Sequence, residues 1–81
     1  MITITTDTKH LILTEGDTVH SIRKDQINSM VLKANRNCIM LYTNNKRGVS
    51  NMIKLKYDQV ASPVHPNVTA LYNELYGWWE T

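Results

Sequence analysis

Apolar and polar residues alternate almost from the first residue, where Ile2 and Ile4 interleave with Thr3 and Thr5, and this period of two predicts a first strand. Leu11-Ile12-Leu13-Thr14 forms a second short apolar run. Glu15-Gly16-Asp17 follows it with the glycine that a tight hairpin needs for positive φ, and Thr18 to Ile22 returns as a third strand. Lys24-Asp25-Gln26 is polar punctuation before Ile27 to Ala34, whose Met, Val and Leu suit a buried strand. Asn35-Arg36-Asn37 supplies the next turn, because Asn tolerates the left-handed region. In Cys38 to Thr43 the residues Cys38, Met40 and Tyr42 point one way and Ile39, Leu41 and Thr43 the other. Both faces look covered. That pattern fits a central strand, or a sheet with a helix on one side and a neighbouring molecule on the other.

Asn44 to Gly48 reads as a polar loop, after which Ile53, Leu55 and Tyr57 share one face of a strand while Met52, Lys54 and Lys56 share the wet face. Two prolines in Ser62-Pro63-Val64-His65-Pro66 exclude both a strand ladder and a helix interior, so this segment is the strand-to-helix connection. Pro66 suits the first helical position. Beyond it Val68, Leu71, Tyr72, Leu75 and Trp79 trace one apolar stripe, which predicts a helix over about 66–79 with Gly77 ending or loosening its last turn. The expectation is a single α+β domain over 1–81. It is a small antiparallel β-meander or partly open barrel of four to six strands, with the C-terminal helix packed on the sheet.

With 81 residues the chain has room for one modest core, and docking or oligomerisation would add stability. A net charge of +2 is too small to imply a polyanion partner by itself. Cys38 is the only cysteine, so no intramolecular disulfide forms and an intracellular site of synthesis fits best. The N-terminal residues lack a basic leader followed by a long apolar run, and no stretch is long and apolar enough for a membrane span, so neither secretion nor membrane association is expected. Asn67-Val68-Thr69 matches a glycosylation acceptor, which has little meaning without a secretory signal.

Candidate chemistry is sparse. His10, His20 and His65 lie far apart and Cys38 has no companion, so no metal site is expected. Cys38 opens an apolar strand and reads as a small buried side chain rather than a nucleophile. Asp7, Glu15, Asp17, Asp25 and Asp58 fall at turns and strand ends, where solvated surface charge explains them without an acid/base pair. Gly16, Gly48 and Gly77 are too dispersed to cradle a phosphate. No enzyme and no cofactor are expected.

Two binding surfaces remain. Tyr42 flanked by Lys46, Arg47, Lys54 and Lys56 is the candidate set for a single-stranded nucleic-acid-binding β-domain, the alternative function. Tyr72, Tyr76, Trp78 and Trp79 spread over more of the helix than one sheet contact covers, which points to a contact with another chain. Ile2 and Ile4 on the first strand are candidates for pairing with a neighbour.

The order Ile53-x-Leu55-x-Tyr57, Val60, Ser62-Pro63, then a short helix with Leu71 and Leu75 and terminal tryptophans resembles small domains encoded among bacteriophage structural proteins, over roughly residues 18–79. The resemblance implies a non-enzymatic structural or assembly module of the virion, synthesised in a host cytoplasm. Such a module acts in many copies through protein–protein contacts with itself, as a homo-oligomer, or with a larger capsid or tail protein.

Overall fold

The computed structural model describes residues 1–44, 47–60 and 65–81. Within them the chain forms β1 (Ile2–Thr6), β2 (His10–Glu15), β3 (Thr18–Arg23), β4 (Ile27–Lys33), β5 (Cys38–Asn44), β6 (Ser50–Lys56) and α1 (Val68–Glu80). The fold is α+β. Strands β1-β2-β3 make one antiparallel sheet and β4-β5-β6 a second, each in meander order, and a lone parallel bridge from Ile2 to Val60 ties β1 to the segment after β6. The expected connector at Ser62-Pro63 lies outside the described residues.

Turn chemistry sets the hairpins. Gly16 has φ +61°, the positive value that its two-residue turn demands of a residue without Cβ, and Asn37 takes φ 55° before β5 begins. A short 3-10 turn at Lys24–Gln26 carries the chain from the first sheet to the second. The core then collects Leu11, Leu13 and Ile22 from the first sheet, Met30, Ile39, Leu41 and Leu55 from the second, and Val68, Leu71 and Leu75 from α1. In β4 the register shifts between Ile27 and Ser29. That bulge is what allows Ile27 and Met30, three residues apart, both to turn inward and be buried.

The helix departs from expectation at both ends. Asn67, not Pro66, marks its start: the Asn67 backbone is extended and its side chain accepts a hydrogen bond from Ala70 N at 2.9 Å, so a true N-cap outranks proline at the first turn. Gly77 neither ends nor loosens the last turn. The helix runs through it to Glu80, where Trp78 and Trp79 pack against the core and the Thr81 hydroxyl lies 2.6 and 3.0 Å from the carbonyls of Trp78 and Gly77. β6 also stops one residue earlier than the alternation suggests. Tyr57 opens a 3-10 turn, Tyr57–Gln59, yet its ring still packs on the core and its hydroxyl donates to the His65 carbonyl.

Candidate interaction surface

The second sheet has one face under α1 and the core, and one face turned outward. Strand pairing arranges the outward side chains in three cross-strand rows: Val31, Met40 and Lys54; Ser29, Tyr42 and Met52; Lys33, Cys38 and Lys56. Met52 is 48% exposed and Tyr42 37%, and Val31 and Met40 are half-buried, so the centre of the face is an apolar strip open to solvent. The Tyr42 hydroxyl lies 3.9 Å from the Met40 sulfur, which lays the ring along the strip. Lys33, Lys54 and Lys56 frame it, all exposed, and no outward strand position of this sheet carries a carboxylate. Both faces of β5 are therefore not equally covered: Ile39, Leu41 and Thr43 are buried inward, Cys38 is buried at one end of the outer face, and the Tyr42 end is open.

This face carries Tyr42, Lys54 and Lys56 on one side of the sheet, with Lys54 one cross-strand row from Tyr42 and Lys56 two. Arg47 lies at the exposed start of the return to β6, and Lys46 lies outside the described residues. Met40, Met52 and Val31 are contributors that sequence reasoning did not single out. Their signal was present in the alternation of β5 and β6, but only the pairing register shows that they adjoin.

Most of the helix aromatics have work inside the chain. Tyr72 is half-buried and its hydroxyl lies 3.4 Å from the Met30 carbonyl, covering part of β4, an edge strand. Trp78 is not surplus to the lid: its indole N–H donates to the Asp7 carbonyl at 2.6 Å, and Lys24 Nζ stands 4.7 Å over its ring while bonding the Thr81 carbonyl. Trp79 is half-buried and meets Tyr76 edge-on, 5.8 Å between ring centres, with Tyr72 on the other side of Tyr76 at 5.7 Å. Tyr76 alone of the four is exposed. Ile2 and Ile4 turn inward and pack on the core.

The outer stripe of α1 is Thr69, Asn73, Tyr76 and Glu80, at spacings of four, three and four. Glu74 and Glu80 are the helix's only charged residues. Glu74 contacts His65 Nε2, so His65 joins the connector to the helix rather than serving only as a spacer. The neighbouring Glu80 carboxylate, through hydrogen bonding first and its charge second, pushes the Tyr76 phenol above its ordinary range. The stripe is therefore aromatic and acidic.

Asp7 does more than solvate the first turn. Its Oδ1 accepts from Lys9 N at 2.8 Å and His10 N at 2.7 Å, with His10 Nδ1 at 3.3 Å, and these donors hold the carboxyl below its usual range. Nearby, Thr8, Lys9, Arg23, Lys24 and Asp25 line a shallow hollow. Arg23 spends its charge on Asp25 at 3.4 Å and Lys24 on Trp78 and Thr81, which leaves the hollow without converging free cations.

Among the described residues no group of three or more His, Cys, Asp or Glu is placed to hold a metal ion, and no helix is long and apolar enough to cross a membrane. Comparison of the chain with protein-family models, with curated protein sequences and with solved structures yields no match.

Proposed function

We propose that this protein is a non-enzymatic assembly module that acts through protein–protein contacts in multiple copies, as a virion component would. The observation that carries this reading is the open apolar strip on the second sheet, Val31, Met40, Tyr42 and Met52, on the side that α1 does not cover. A small domain gains by burying such a strip, and Met and Tyr are side chains that interfaces favour. Size-exclusion chromatography with light scattering tests it. The wild type associates as its concentration rises, and Met52→Lys, which places a charge in the strip without touching the core, returns it to monomer. A monomer at every concentration, unchanged by this substitution, counts against association of the chain with itself.

Lys54 and Lys56 on the same face as Tyr42 favour a second reading, a single-stranded nucleic-acid platform. Fluorescence anisotropy with mixed-sequence oligonucleotides separates the two. Binding at low salt that falls steeply as salt rises supports the second reading, and no binding at low salt ends it.

A further inference from the structure

We propose that copies of this chain pack head to tail, the acidic aromatic stripe of α1 in one copy seating on the basic apolar face of the β4-β5-β6 sheet in the next. This rests on the contact-module reading and names the occupant of that face. The two surfaces lie on different sides of one molecule, because α1 sits on the inner face of the sheet whose outer face is the open one. Their charges are opposite. The sheet offers Lys33, Lys54 and Lys56 and no outward carboxylate, whereas the stripe of α1 carries Glu80 and no cation, with Glu74 off the stripe against His65.

Their apolar groups and dimensions also correspond. Tyr76, with Trp79 against its edge, stands on the helix stripe, and Met40, Met52 and Tyr42 form the strip that would receive it. A helix of 13 residues is about 20 Å long and a strand of seven about 23 Å, so the stripe and the sheet face match in length.

The same charges oppose two-fold association. Sheet face on sheet face brings lysine rows together with no carboxylate between them, and helix stripe on helix stripe offers Glu80 no cation in either copy. Only the heterologous contact pairs unlike charges, and such a contact propagates into a ring or an open chain rather than stopping at a dimer.

Charge reversal on each surface separately decides the matter. In Lys54→Glu/Lys56→Glu the sheet face is spoiled and the helix stripe intact; in Glu80→Lys the reverse holds. All three positions are exposed, and circular dichroism checks that each variant keeps the wild-type fold. By light scattering, wild type forms a concentration-dependent series beyond the dimer, and each variant alone loses it and runs as monomer. An equimolar mixture pairs unlike charges at both kinds of junction, intact stripe on intact sheet face and reversed stripe on reversed sheet face, so it regains growth beyond the dimer. A wild type that stops at a discrete dimer, or a series that survives both sets of reversals, overturns head-to-tail packing while leaving the contact-module reading standing. A wild type that stays monomeric throughout overturns head-to-tail packing and counts against any association of the chain with itself.

Discussion

Asp7 is exposed, yet two backbone N–H donors and the His10 ring nitrogen converge on one of its oxygens and fix the turn from which β2 starts. Those donors favour the charged form, so the carboxyl's pKa in the folded chain lies below its unfolded value of about 3.9. The stability it contributes is therefore present above the unfolded value and is lost as pH falls through the folded one. Asp7→Asn should lower the midpoint of thermal unfolding at pH 7, and the gap to wild type should shrink as the pH is brought below 3.9; a gap that persists unchanged in acid would show that the charge is not the cause. The same turn offers its Asp7 carbonyl to Trp78. Trp78→Phe keeps a ring against the core but removes the N–H donor, and should cost about 1 kcal/mol in a urea titration, the ordinary net value of one hydrogen bond. An unchanged midpoint would mean that water replaces the bond without loss.

At the scale of elements, α1 is held by its cap and by its buried stripe, and the two can be separated. Asn67→Ala removes the acceptor for Ala70 N and should cost about 1 kcal/mol, whereas Leu75→Ala, at a site 2% exposed, should cost about 2–5 kcal/mol. Denaturant midpoints that rank the two in the opposite order would place the helix's stability in its cap rather than its packing. The buried stripe was legible because Val68, Leu71 and Leu75 keep helical spacing, and the strands because β-branched and apolar residues alternate between turn residues. What eluded the sequence was decided by contacts distant along the chain. Gly77 reads as a breaker, but Trp78 is anchored on Asp7, far away in sequence, and the helix continues to meet it. Local propensity carries no trace of such an anchor. The bulge in β4 is hidden for a similar reason, since Ile27 and Met30 acquire a shared direction only from the core they enter. The candidate surface was half legible: alternation assigned Met52, Lys54 and Lys56 to one side, and cross-strand register alone joined them to Met40 and Val31.

For the whole molecule, the open strip links association to stability. A domain of 81 residues has a small core and a correspondingly small margin, so any contact made only by folded copies raises its apparent stability by mass action. With free partner at ten times its dissociation constant the gain is about 1.4 kcal/mol. For a domain of this length that corresponds to a rise of roughly 6–11 °C in the unfolding midpoint. Scanning calorimetry of wild type over a hundredfold range of concentration should show the midpoint climbing, while Met52→Lys stays flat near the dilute wild-type value. The lysine rows and Glu80 lie at the surface, where salt screens them, so the climb should be smaller in 1 M salt, where the screening length is about 3 Å. Burial of Met40, Met52 and Tyr76 does not depend on screening, and some concentration dependence should survive there. A wild-type midpoint that ignores concentration at low salt would separate the stability of this fold from the surfaces it exposes.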